Sequence, residues 1–203
     1  MSQIYTIAFV GRSGVGKTYA ARYLKTKGIK QIDCDQLAHR VTSNGTDCLK
    51  ALVDEFGTDI VDADGSLIRS KLARIAFSDE TKKKRLDSIT HPYIISELNK
   101  ELKILEHQGE KRCIIEAPAL VESGLDAYVD RIILIRAPRD EVIDRIYNRD
   151  NISLNRIVDR LNSQLEDSEL SEIADAVVDN NSSLDEFERK LDDIYDSIIE
   201  WSR

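Results

Sequence analysis

The sequence predicts an α/β protein of three layers: a five-stranded parallel sheet flanked by helices, with a helical insertion and a small helical lid. Three observations carry this. Short apolar runs alternate with segments of helical periodicity, as when buried parallel strands are joined by crossover helices. A glycine-rich stretch, GRSGVGKT at 11–18, sits between the first apolar run and a helix-favouring segment at 19–27. Finally, 36–111 and 150–171 lack strand character altogether.

Strand candidates are 4–10, 30–34, 113–117, 131–135 and 176–178, each brief and mostly apolar, as a strand buried on both faces should be. Between the second and third the pattern is helical throughout, with Leu49, Leu52, Val53 and Phe56, then Leu72, Ile75 and Ala76, then Leu98, Leu102 and Leu105. The turn at Ala63-Asp64-Gly65-Ser66 interrupts it, and His91-Pro92 is expected to open its last long helix. The expected organisation is one domain over 1–203: a core of 1–35, 112–149 and 172–203, the insertion at 36–111 and the lid at 150–171. The chain ends in an amphipathic helix introduced by Ser183-Leu184-Asp185-Glu186, a capping-box pattern. Its apolar face must cover either its own sheet or a second copy of the chain, so a homo-oligomer stays open.

Composition bounds the function. At 203 residues, with 41% hydrophobic and 33% charged residues, the chain fits one soluble globular domain. A net charge of −8 speaks against a broad nucleic-acid-binding face. No apolar run reaches bilayer length and the start lacks an export-like segment, so no membrane association and a cytoplasmic location are expected. Cys34, Cys48 and Cys113 are too scattered for a disulfide framework or a metal cluster and read as ordinary thiols.

The stretch at 11–18 is a P-loop. Glycines after a buried strand let successive backbone N–H groups turn inward toward phosphate oxygens, and the following helix N-terminus adds its partial positive charge. Gly11, Ser13, Gly14, Val15 and Gly16 are candidate phosphate contacts, with Tyr19 just beyond. Lys17 supplies a mobile positive charge, and the Thr18 hydroxyl can ligate Mg²⁺. The motif alone leaves the acceptor open, since GTP switches, ATPases and small-molecule kinases all use it.

In open parallel sheets ligands bind beyond the carboxyl ends of the strands. There Asp35 either takes a hydroxyl proton or holds the Mg²⁺ shell, or else caps the next helix; both readings stand. Glu116 and Glu122 flank the end of the third strand, and either a metal-shell or a structural role fits Glu116. Beyond the fourth strand stands Arg136, where many P-loop ATPases have an acidic residue. Arg145 and Arg149, four apart on one helix face, could clamp a transferred phosphoryl group or pair with Asp144 and Asp150 at the surface. Arg40, Arg69 and Arg74 lie where an anionic acceptor would bind, and His91 could fix a bend, cap a helix or contact phosphate.

Taken in order, these segments resemble the dephospho-CoA kinase family over nearly the whole chain. The likeness comprises the P-loop, Ile32 with Asp33-Cys34-Asp35-Gln36-Leu37-Ala38-His39-Arg40, the Arg69, Leu72 and Phe77 pattern, His91-Pro92, Pro118 with Leu120, Arg145, Arg149-Asp150, Gln164, and Asp179-Asn180-Asn181. The resemblance implies a three-layer P-loop kinase fold and ATP- and Mg²⁺-dependent phosphorylation of the ribose 3′-hydroxyl of dephospho-CoA, the last step of coenzyme A biosynthesis. It implies Asp35 as base, the insertion as the CoA-binding part, and Arg40, Arg69, His91, Pro118 and Leu120 as substrate-side positions. It further implies that Arg149, with Lys17 of the P-loop, faces phosphate and that Asn180 lies beside adenine. Three positions depart from the pattern: Ala119 replaces a usual leucine, Leu170 a usual basic residue and Ser182 a usual glycine. The alternatives are a kinase of another small acceptor, such as a nucleoside monophosphate, and a P-loop GTPase switch. Against the switch, the one near match to its second motif, Asp62-Ala63-Asp64-Gly65, falls in a turn, and no Asn-Lys-x-Asp appears.

Overall fold

A computed structural model describes residues 4–117, 120, 121 and 123–203. Five strands, β1 (Tyr5–Val10), β2 (Lys30–Asp33), β3 (Arg112–Glu116), β4 (Arg131–Arg136) and β5 (Ala176–Asp179), form one sheet in the order β2-β3-β1-β4-β5. All four pairings are parallel. Expected and observed strands agree to within a residue or so at their ends. The chain leaves β1 for one edge and later returns for the other, so its reversal point lies at the carboxyl end of β1, where the P-loop begins.

Period-two alternation places β1 side chains into two cores. Ile7 and Phe9 join Leu24 of α1 (Lys17–Thr26), Ile146 of α6 (Arg139–Asp150), and Phe187, Leu191 and Ile198 of α9 (Leu184–Trp201). Ala8 and Val10 join Leu37 of α2 (Cys34–Val41) and Leu98 and Leu102 of α5 (Glu80–His107) on the opposite face. Helices therefore cover both faces, giving three layers. The apolar face of α9 is buried against α1 and its own sheet, and the Ser183 side chain caps it by accepting from Glu186 N at 3.3 Å. The three cysteines are buried, which pushes their thiols up to about 12 for Cys34 and Cys113 and about 11 for Cys48.

Between β2 and β3 a third core forms where α3 (Asp47–Phe56) and α4 (Arg69–Ala76) meet the first half of α5 through Leu52, Ile60, Leu72 and Ala76. This stretch is not helical throughout: Val61 and Leu67 form an antiparallel bridge around the expected turn. Asp62 closes that turn by accepting from Asp64 N at 3.0 Å and Ser66 N at 2.9 Å. His91-Pro92, expected to open this helix, lies inside α5 rather than at its start. Proline removes one helical hydrogen bond, to the carbonyl four residues back. The helix continues because it is anchored on both sides, by Leu86, Ile89 and Tyr93 on the third core and by Leu98 and Leu102 on the sheet.

The polar stretch after α6 folds as α7 (Leu154–Asn162) and α8 (Asp167–Ile173), the latter running two residues past the expected boundary. Ile157 and Leu161 are fully buried beside Val142 and Ile146. Leu170 is buried with Leu120 and Leu134 and is a core residue. No helix among the described residues is long and apolar enough to cross a membrane.

Candidate active site

The P-loop leaves β1 under tight steric control. At Gly11 (φ +137°) a Cβ would stand 2.3 Å from Ile135 O, so no side chain fits. At Gly16 (φ +109°) it would meet Asn180 Nδ2 at 2.8 Å. Gly16 also precedes α1 without a capping side chain, and the first turn of α1 holds no acidic residue. An anion is the natural partner of such a helix start.

Ser13, Gly14, Gly16, Lys17, Thr18 and Tyr19 line a cavity of about 340 Å³, faced by Glu116 and by Arg145, Arg149 and Arg160. Lys17 Nζ folds back over the loop, donating to Gly11 O (2.5 Å) and Arg12 O (3.0 Å). Val15 is buried in the core, and its carbonyl accepts from Asn180 Nδ2 at 2.8 Å, so Asn180 holds the loop from beneath. Tyr19 packs against Phe187, ring centroids 6.0 Å apart, and donates its hydroxyl proton to Glu188. That bond is the leading cause that pushes the Tyr19 phenol up to about 12.

On the cation side, Arg145 pairs with Glu141 (2.6 Å), not with Asp144. Arg149 grips Asp150 through Nε (2.6 Å) and Nη2 (2.9 Å), and Arg160 from α7 reaches the same carboxylate at 3.0 Å. Hydrogen bonding to Arg149 first, then the neighbouring charges, holds the Asp150 carboxyl below the usual range. Asp150 thus sets two guanidinium groups side by side on the cavity. Arg160 is a cavity residue within the expected lid segment 150–171, and its distance from the P-loop in sequence gives no sign of that contact. Arg136 instead pairs with Asp179 at the end of β5, at 2.9 and 3.1 Å.

Across the sheet, the Thr18 hydroxyl donates to Glu116 Oε1 at 3.0 Å, and Gln31 of β2 donates to the other carboxylate oxygen. Hydroxyl and carboxylate oxygens suit a hard ion such as Mg²⁺. Among the described residues no group of three or more His, Cys, Asp and Glu could hold a metal, so such an ion would draw the rest of its shell from phosphate oxygens and water.

Asp35 lies two strands from the P-loop, because β2 and β1 flank β3. At one strand spacing each, that is roughly 10 Å, room for a phosphoryl group and an acceptor hydroxyl. The helix cap is Asp33: its Oδ1 accepts from Asp35 N (2.9 Å) and Gln36 N (3.2 Å). Capping therefore does not occupy Asp35. Its carboxyl is pushed above the ordinary carboxylate range by partial desolvation first and by the Asp33 charge second, with His39 pulling the other way.

Further out, Arg40 pairs with Glu101 of α5 at 2.5 Å, and Arg69 at the start of α4 donates to Thr42 Oγ1 at 2.9 Å. His91 Nε2 stands 3.7 Å from Asp87, one turn earlier on α5. Leu120 is 2% exposed and packs in the core. Pro118, Ala119 and Glu122 lie outside the described residues.

A parallel sheet, a P-loop at its reversal point and four cations, Lys17, Arg145, Arg149 and Arg160, around a cavity of about 340 Å³ define a P-loop kinase. The dephospho-CoA kinase family model matches residues 5–186. A dephospho-CoA kinase from Listeria innocua is 34% identical over 92% of this chain and 93% of its own length. Among solved structures, TT1252 from Thermus thermophilus aligns with a TM-score of 0.80 at 30% identity, covering 96% of this chain and 97% of that one. The dephospho-CoA kinase from Campylobacter jejuni shares the fold, with a TM-score of 0.63 at 23% identity over 97% and 98% of the two chains. The chain belongs to the dephospho-CoA kinase family, and its reaction is the phosphorylation of dephospho-CoA in coenzyme A biosynthesis.

Proposed function

We propose that the protein, in the cytoplasm, transfers the γ-phosphoryl group of ATP to the ribose 3′-hydroxyl of dephospho-CoA, with Asp35 as base and Lys17 and Arg149 as the charges that follow the phosphoryl group. The observation that carries this is the division of labour at the end of β2: Asp33 caps α2, so Asp35 is left for the acceptor. In the step itself, the ribose oxygen forms a bond to the γ-phosphorus as the bond to the β,γ-bridging oxygen breaks. The hydroxyl proton passes to the Asp35 carboxylate and ADP leaves. Charge spreads over the phosphoryl oxygens as this happens, and preorganised cations stabilise it.

Thr18 and Glu116 would hold Mg²⁺, which neutralises phosphate charge when bound. Backbone N–H groups of the P-loop orient the donor, with Gly11, Gly14 and Gly16 allowing their close approach. Asn180 keeps that loop in place from below and stands next to the base of the nucleotide. Arg40, Arg69 and His91 in the helical stretch 36–111 receive the acceptor. Segment 150–171, with Arg160, acts as the lid over the phosphates, excluding the water that would otherwise accept the phosphoryl group.

The test is ADP release with ATP and Mg²⁺ in the presence of dephospho-CoA, adenosine, CMP or no acceptor. Stimulation by dephospho-CoA alone is expected, with phosphorus appearing at the 3′ position by NMR. Stimulation by CMP and not dephospho-CoA would overturn the acceptor assignment.

A further inference from the structure

The second residue of the P-loop turns its side chain toward α7 and not into the cavity that the loop lines. Arg12 is 11% exposed at its side chain and reaches the far end of α7: Nη1 pairs with Glu166 Oε2 at 2.9 Å and Nη2 donates to the carbonyl of Leu161. Ser13 makes a second, reciprocal tie, its N donating to Gln164 Oε1 at 2.9 Å and its Oγ accepting from Gln164 Nε2 at 3.1 Å. Four contacts thus join two adjacent loop residues to the six-residue span 161–166. Arg12 and Asp167 also line a small cavity of about 120 Å³ beside Val15, Val142 and Leu161, where Arg12 Nε and Asp167 Oδ1 are buried without a hydrogen-bond partner among the described residues.

Leu161 follows Arg160, and Arg160 lines the phosphate cavity beside Lys17, Arg145 and Arg149. The carbonyl that Arg12 grips is therefore one residue from a guanidinium of the cavity. Burying a guanidinium behind a phosphate-binding loop is costly unless it is engaged on several sides. A lysine, with a single point charge, could not reach both the carboxylate and the carbonyl as a planar fork does. We propose that Arg12 is a positioning residue, which ties the P-loop to the end of α7 and thereby fixes Arg160 over the transferred phosphoryl group. The proposal rests on the reading of this cavity as the site of phosphoryl transfer.

A double-mutant cycle on turnover tests it, with KM for both substrates and thermal unfolding recorded for each variant. Arg160→Ala should lower kcat about tenfold or more, and Arg12→Ala about five- to tenfold, since a misplacement near 1 Å can cost up to about a hundredfold. In the Arg160→Ala background, Arg12→Ala should change kcat less than about twofold, and Arg12→Lys should fail to restore the wild-type rate. Equal losses in both backgrounds, or an Arg12→Ala enzyme as fast as wild type, would overturn the positioning role. An Arg160→Ala enzyme of wild-type kcat would instead overturn the reading of the cavity. Should Arg12→Ala not fold, Glu166→Gln at an exposed position substitutes for it, with an expected loss of about twofold that vanishes in the Arg160→Ala background and an overturning result if it persists there.

Discussion

A carboxylate at the start of α2 is available for chemistry only because its neighbour takes the cap. Asp33 satisfies the N–H groups of Asp35 and Gln36, and the same negative charge helps to raise the Asp35 carboxyl. A base with a raised pKa must lose its proton to act, so kcat/KM should fall as pH drops through that raised value, above the ordinary carboxylate range. Asp35→Asn should remove this acid limb and lower kcat by about 10² to 10⁴, leaving KM for ATP nearly unchanged. The stability sign runs the other way. An acid whose folded pKa is raised binds more protons in the folded state, so its contribution to stability falls as pH rises from the unfolded to the folded pKa. Asp35→Asn should accordingly melt at a higher temperature than the wild type at neutral pH, and a lower melting temperature would argue that Asp35 is structural. Lys17 stands on the donor side, its ammonium donating to two carbonyl oxygens of the P-loop, Gly11 O and Arg12 O. Lys17→Ala should lose about 3 kcal/mol or more of transition-state stabilisation, read from kcat/KM.

Among the elements, the strands and the P-loop were legible in the sequence because buried parallel strands are near-continuous apolar runs and glycine at a strand end has few other uses. The start of α5 was not, because Pro92 is a strong local helix breaker and signals a boundary beside it. Tertiary packing outweighed it: Leu86, Ile89 and Tyr93 before or beside the proline and Leu98 and Leu102 after it fasten one continuous helix to two cores. A proline inside a helix costs about 3 kcal/mol relative to alanine. Pro92→Ala should therefore raise the free energy of unfolding in urea by about 1–3 kcal/mol, the lower end applying where the helix has already relaxed around it. No gain would mean that the backbone at 88–92 carries no lost bond to recover. Leu170 was legible as a departure from the family pattern but not in its consequence. Only the packing of α8 against β4 shows that an apolar side chain there fills the core. Contacts such as Arg12 with Glu166 and Asn180 with Val15 join residues about 150 or more positions apart, and periodicity carries no signal for them.

At the scale of the whole molecule, the sheet order separates two tasks across one strand. The P-loop, Asn180 and the arginines of α6 and α7 gather around the ends of β1, β4 and β5, whereas Asp35, Arg40 and Arg69 belong to the side of β2 and the helices that follow it. Glu116 at the end of β3 lies between them and touches both, through Thr18 on one side and Gln31 on the other. Ligand-induced stabilisation should resolve the two sides, since a ligand at 100 times its Kd raises stability by about 2.7 kcal/mol and a ligand that no longer binds raises it by nothing. With a non-hydrolysable ATP analogue and Mg²⁺, the wild type and Asp35→Asn should show similar rises in melting temperature, and Lys17→Ala a much smaller one. With dephospho-CoA alone the order should reverse: Lys17→Ala should respond as the wild type does, and Arg69→Ala should lose most of the rise. Because Arg69 also donates to Thr42, its variant needs its own melting curve as the baseline from which the shift is counted. If Arg69→Ala lost the response to the ATP analogue as well, the two substrates would not occupy separate sides of the sheet, and the acceptor would have to bind closer to the P-loop than the geometry of β2 and β1 implies.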